Sequence, residues 1–222
     1  MREEAPVYSI LVVDDDATNL RMLHEILRPR YKVFAAPSGQ RAMVFLERRT
    51  PDLILLDVEM PGMNGYQVIS RLKGDLRTAS IPVLFLTAQE GREKEETALR
   101  LGAVDYILKP ITAGVVLARV NMHIELEVYR KRLEQLVELK TSQLRNTQDS
   151  ILDILANVTA WRDSGTGGHI TRTTAYSQLI IDCLMEKNHP NYIISPQYGE
   201  HIVKTSKLHD IGKVAISDSI LL

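Results

Sequence analysis

The chain has 222 residues, a formal net charge of −1, 45% apolar and 25% charged residues, and one cysteine. That length can bury a real core in one or two domains, and near-neutral charge excludes a nucleic-acid binder that relies on broad phosphate neutralisation. Cys183, as the only cysteine, excludes an intramolecular disulfide and a thiolate zinc site. Residues 1–6 lack the apolar core of a signal peptide and no run approaches membrane-spanning length, so the expectation is a cytoplasmic protein that does not enter a membrane.

Five short strand-like runs precede residue 110: Ile10–Val13, Tyr31–Ala35, Leu53–Leu56, Val83–Leu86 and Val104–Leu108. Helical spacing lies between them. Leu20, Leu23, Ile26 and Leu27 carry it first, then Ala42, Phe45 and Leu46, then Val68, Ile69 and Leu72. Ser38, Asn64 and Thr112 suit N-cap positions. Strand and helix in alternation mean βαβ units with right-handed crossovers, and nearly all-apolar strands mean a parallel sheet covered on both faces. Residues 1–122 are therefore expected to form one doubly wound α/β domain with a five-stranded parallel sheet.

From Thr112 the pattern changes, and no Gly or Pro interrupts the chain between Gly114 and Gly165. Leu126, Tyr129, Leu133 and Leu136 step by three and four, the seam of a coiled coil, with Arg130, Lys131, Arg132, Glu134 and Glu138 on its flanks. The seam weakens at Lys140 and Gln143, and apolar spacing resumes at Leu144, Ile151, Ile154 and Val158. Residues 123–157 are thus expected to be a helical linker that pairs with a second copy. A third region, 158–222, is all-helical. Tyr176, Leu179, Ile180, Cys183 and Leu184 make an apolar stripe over 170–187, closed by Asn188–Pro190. Ser195–Pro196 opens another helix, which carries Ile202 and Val203 to His209–Asp210 and is ended or bent by Gly212. The region is thin for a domain.

The chemistry sits at the strand ends. Asp14, Asp15 and Asp16 follow the first strand, Asp57 the third, Thr87 the fourth, and Lys109–Pro110 the fifth. In an open parallel sheet those ends form one rim, where ligands bind. A carboxylate is a weak nucleophile, yet it accepts a phosphoryl group held in line with its charge neutralised. Asp14 and Asp15 suit magnesium, Lys109 supplies a positive charge, and Thr87 supplies a hydroxyl.

With those residues in place the first 120 or so residues resemble the response-regulator receiver family, through Ile10–Asp16, Leu55–Gly65, Leu86–Ala88 and Asp105–Pro110. The resemblance implies a flavodoxin-like sheet of order 2-1-3-4-5 and phosphorylation on Asp57 by a sensor histidine kinase or phosphotransfer protein. It implies Mg2+ held directly by Asp15, Asp57 and the Glu59 backbone carbonyl, with Asp14 acting mainly through water. It also implies a cis Lys109–Pro110 bond, a Thr87 that moves towards the phosphoryl group, and a switch aromatic at Tyr106, which would otherwise read as a half-buried packing residue.

His169, His209 and Asp210 offer nitrogen and oxygen ligands for a transition metal, and Lys213 lies one turn past His209. Trp161–His169 and His209–Asp218 resemble the opening motifs of HD-GYP phosphohydrolases, which hydrolyse cyclic di-GMP at a two- or three-metal site. The resemblance implies that His169, His209 and Asp210 bind Fe or Mn and that Lys213 contacts phosphate. Gly165 stands where the family usually has glutamate, and Ser217 replaces a common proline. The later histidines, the final aspartate and the Gly-Tyr-Pro motif do not occur, so the HD-type region is incomplete and this chain is not expected to hydrolyse the dinucleotide itself.

Two functions compete: a two-component regulator whose full-length form is a metal-dependent cyclic di-GMP phosphodiesterase, and a phosphorylation-switched interaction module with a catalytically silent tail. A DNA-binding regulator is disfavoured, because no helix-turn-helix with a basic recognition helix is present.

Overall fold

The computed structural model describes residues 8–88, 97, 99–162, 168–186 and 194–221. Gly165, most of the Trp161–His169 motif and Asn188–Pro190 lie outside them. Two compact units divide the chain, residues 1–132 and 133–222.

In the first unit β1 (Ser9–Val13), β2 (Lys32–Ala36), β3 (Leu53–Asp57), β4 (Val83–Thr87) and β5 (Asp105–Leu108) form one parallel sheet in the order β2-β1-β3-β4-β5, as expected. The helices are α1 (Ala17–Leu27), α2 (Gly39–Arg48), α3 (Gly65–Gly74) and the start of α4 (Ala113–Arg162). Alternate strand residues face opposite ways. Leu11, Val13, Ile54, Leu56, Val83 and Phe85 pack with Ala42 and Leu46 of α2 and Val68, Ile69 and Leu72 of α3. Ile10, Val12, Leu53, Leu55, Leu84 and Leu86 pack with Leu23 and Leu27 of α1 and Val116, Val120 and Ile124 of α4. Burying both faces explains why these strands carry almost no polar residue before their last position.

Local chemistry sets the element ends. The Ser38 hydroxyl accepts from the Arg41 N–H, and Asn64 and Gln67 form a reciprocal capping box. The second strand begins at Lys32 rather than Tyr31, because the Tyr31 N–H closes the preceding turn on the Leu27 carbonyl. The Tyr31 hydroxyl then bonds Asn121 on α4.

In the second unit the rest of α4, α5 (His169–Glu186) and α6 (Pro196–Ser206) pack together, followed by a 3-10 turn (Ile211–Ala215) and α7 (Asp218–Leu221). Ala156, Thr159, Ile181 and Val203 are buried there. A Cβ on Gly199 would meet the Ile181 side chain at 2.7 Å, so glycine lets α6 lie close to α5. Two expectations change. The Ser195–Pro196 helix stops at Ser206, before His209–Asp210, and Gly212 falls within the 3-10 turn instead of ending a helix. The Thr205 and Ser206 hydroxyls donate back to the His201 and Val203 carbonyls, and Leu208, His209 and Ile211 N–H groups bond three residues back. The stripe at Tyr176, Leu179 and Ile180 is exposed in this chain, and Ile181 is the buried residue of α5. Among the described residues no helix is long and apolar enough to cross a membrane.

Candidate functional site

Sheet register brings the polar strand ends together. Val13 pairs with Leu56, so Asp14 and Asp57 emerge side by side on neighbouring strands. Thr87 pairs with Leu108, and the Thr87 carbonyl accepts from the Lys109 N–H at 2.7 Å, which places Lys109 at the same rim. Asp14, Asp15 and Asp57 each offer a carboxylate oxygen within 4.8 Å of the others. The Lys109 ammonium donates to Asp57 Oδ2 at 2.9 Å and to Asp14 Oδ2 at 3.1 Å. Asp14 is 0% and Asp57 4% exposed, whereas Asp15 faces solvent. Three converging carboxylates, two of them buried, form a donor set that could hold a small hard dication with several waters.

Beside this cluster is a cavity of about 470 Å³ lined by Val58, Glu59, Met60, Pro61, Asn64, Tyr66 and Thr87. Tyr106 is half-buried and packs against the core face that contains Phe85, its register partner on β4. The Lys109–Pro110 bond is cis, as the family resemblance implied.

Burial pushes the Asp57 carboxyl up from its ordinary value, the Lys109 hydrogen bond pulls it down, and the Asp14 charge raises it again, leaving it raised. Lys109 loses by burial and gains more from Asp57 and Asp14, so its ammonium is held more firmly than usual. For Asp57 the folded-state value lies above the unfolded one. Its charge therefore opposes folding at neutral pH, and stability recovers as pH falls through the raised value. Asp57→Asn is accordingly expected to melt higher than the parent chain near pH 7.5 without divalent cation. The gap should close as the solution is acidified, and equal melting at neutral pH would contradict this.

The second cluster is smaller. His169 Nε2 lies 3.1 Å from His209 Nε2, which is 3.3 Å from Asp210 Oδ2. His209 Nδ1 lies 2.8 Å from the Ser206 carbonyl, which can only accept, so Nδ1 carries a proton and Nε2 is the ring nitrogen that faces His169 and Asp210. Lys213 donates to Asp210 Oδ2 at 2.9 Å, and that contact holds the Asp210 carboxyl below its usual range. Two imidazoles and one carboxylate could hold a transition metal.

Residues 10–121, about half of the chain, match the response regulator receiver domain. The chain belongs to the response-regulator receiver family. This receiver chain is 36% identical over 227 residues to a Vibrio cholerae protein named "Probable cyclic di-GMP phosphodiesterase", across 99% of this chain and 52% of that protein. It is 30% identical over 224 residues to the cyclic di-GMP phosphodiesterase response regulator RpfG of Xanthomonas campestris pv. campestris, across 96% of this chain and 57% of that protein. The chain thus spans just over half the length of these relatives. Among solved structures it is similar to the chemotaxis protein CheY4 of Vibrio cholerae, with a TM-score of 0.51 and 25% identity over 53% of this chain and 98% of that one.

The receiver also gives residues roles that sequence reading did not assign. Asp16 is the N-cap of α1, its carboxylate accepting from the Thr18 N–H at 2.7 Å. An acid just before an apolar helical run is a legible cap signal. Asn19, Arg119 and His123 carried no such signal. Arg119 and His123 of α4 both bond Asp105, at 2.6 and 3.1 Å from Oδ2. Burial pushes the Asp105 carboxyl up, and hydrogen bonds from His123, the Tyr106 N–H and Arg119 outweigh it, so the net shift is downward.

Proposed function

We propose that Asp57 is the phosphoacceptor of a two-component response regulator, a reading carried by the meeting of Asp14, Asp15, Asp57 and Lys109 at one rim. A carboxylate oxygen of Asp57 attacks the phosphorus of a phosphohistidine on a sensor kinase or phosphotransfer protein. The P–N bond breaks and the imidazole leaves with the electron pair. Asp15, Asp57 and the Glu59 carbonyl, with Asp14 through water, would hold Mg2+, which supplies charge neutralisation for the phosphoryl oxygens. Lys109 transfers its ion pair from Asp57 to a phosphoryl oxygen, and the Thr87 hydroxyl donates to another. Movement of Thr87 and inward turning of Tyr106 then bias a two-state surface. Labelling by radioactive acetyl phosphate with and without Mg2+ tests this directly, and an unlabelled chain would end the reading.

The output is read in three parts: receiver 1–122, linker 123–157 and an HD-type region 158–222. In the full-length form His169, His209 and Asp210 would bind Fe or Mn, and Lys213 would contact phosphate of cyclic di-GMP. The two relatives named as phosphodiesterases support this, because their similarity runs through nearly all of this chain. Among the described residues two imidazoles and one carboxylate converge there, fewer than a two-metal clamp needs. The 222-residue chain with added Mn2+ or Fe2+ is therefore expected to release no linear dinucleotide from cyclic di-GMP, and measurable turnover would overturn this account. The alternative is a phosphorylation-switched interaction module, and the exposed Tyr176, Leu179 and Ile180 favour it by offering apolar surface to a partner.

A homodimer through the linker is part of the proposal. Leu126, Tyr129, Leu133 and Leu136 are 55%, 69%, 62% and 49% exposed in the single chain, which a second helix would cover. Burying one leucine is worth about 1.5–3 kcal/mol, so Leu133→Glu should weaken self-association by at least about tenfold in sedimentation equilibrium. An unchanged sedimentation profile would remove the seam.

A further inference from the structure

The geometry points to Asn19 as a positioning residue of the cation site, one that holds Asp14 in a fixed orientation without adding charge. This rests on the phosphorylation reading above. Asn19 lies in the first part of α1, and its side-chain amide nitrogen sits 3.1 Å from Asp14 Oδ1 and 3.0 Å from Oδ2. The Asp16 N–H donates to Oδ1 at 2.9 Å and Lys109 to Oδ2 at 3.1 Å. Each oxygen thus faces two donors, and the fully buried carboxylate has its lone-pair directions assigned.

Two consequences follow from that arrangement. An amide astride both oxygens stops the carboxyl plane from rotating, so the oxygen that meets Lys109 stays beside Asp57. Fully buried and with donors on both oxygens, Asp14 is poorly placed to ligate a cation directly, and direct protein ligands fall to Asp15 and Asp57. The residue type matters as well. A lysine or arginine at position 19 would cancel the negative potential that draws a dication, and a serine would not span both oxygens. Asparagine donates and stays neutral. Groups that orient ligands in this way typically change metal affinity about 10–100-fold when removed.

The test uses the full chain, metal-free and unphosphorylated, titrated with Mg2+ by calorimetry. Asn19→Ala and the near-isosteric Asn19→Leu are expected to weaken Mg2+ binding by about tenfold at a temperature where circular dichroism in EDTA shows each variant fully folded. The Mg2+ concentration giving half-maximal labelling by acetyl phosphate should rise by the same factor, while the rate at saturating Mg2+ stays within about twofold. Parent-like Mg2+ affinity in both variants would overturn the assignment, as would a loss of affinity that only tracks a lowered melting temperature. Failure of the phosphorylation reading looks different: the parent itself takes up no label, whatever the calorimetry shows.

Discussion

Asp57→Asn is expected to leave the chain unlabelled by acetyl phosphate and Mg2+, a drop of at least about a hundredfold from the parent. The amide cannot act as the nucleophile, and neither neighbouring carboxylate is placed to substitute for it. Asp14 is fully buried with donors on both oxygens. Asp15 is exposed, and it is needed as a cation ligand in the proposed reaction. Chelation with EDTA should silence the parent to the same extent, because Lys109 alone leaves the phosphoryl charge poorly balanced. The variant should remain folded, and its higher melting temperature at neutral pH provides that control. Label persisting on Asp57→Asn would move the acceptor elsewhere and dismantle the assignment of the whole rim.

The second large effect is on stability. A Cβ built on Gly65 would lie 2.3 Å from the Asp57 carbonyl oxygen and 2.9 Å from Val58 Cα. Both are backbone atoms at the end of a central strand, so no side chain can swing away. The Gly65 N–H also donates to the Val58 carbonyl at 3.0 Å, which pins the start of α3 against that strand end. Overpacking usually costs about 1–3 kcal/mol, and against fixed backbone Gly65→Ala should reach or exceed the upper end. Urea unfolding followed by circular dichroism measures this. Gly74, at the other end of the same helix, has nothing within 4 Å of its built Cβ, and Gly74→Ala should be neutral or stabilise by up to about 1 kcal/mol. Equal midpoints for the two variants would show that the close approach at Gly65 does not matter. Residual Gly65→Ala protein should also label poorly, since its clash is with the residue that carries Asp57.

Much of this protein can be read along the chain. Five apolar runs alternating with helical spacing, each of four runs ending on an acid, a hydroxyl or a lysine, imply a parallel sheet with one reactive rim. Such an inference works because the strand period and the helix period are local properties of the chain, and because strand ends in parallel sheets always share a side. Ser38, Asn64 and Ser195 were legible for the same reason: capping acts over three residues.

Only the tertiary structure decided which donors meet which oxygens. Asn19 reaches Asp14 from the first turn of α1, and Lys109 reaches both acids from the end of β5, across the end of β4. The end of α6 at Ser206 likewise depended on hydroxyl back-bonding that helical periodicity does not encode. Whether an apolar residue is covered is also a property of the folded chain: Leu133 and Ile181 look alike in sequence, and one is 62% exposed while the other is 6%. Periodicity specifies which face a residue occupies, but only packing specifies what that face meets.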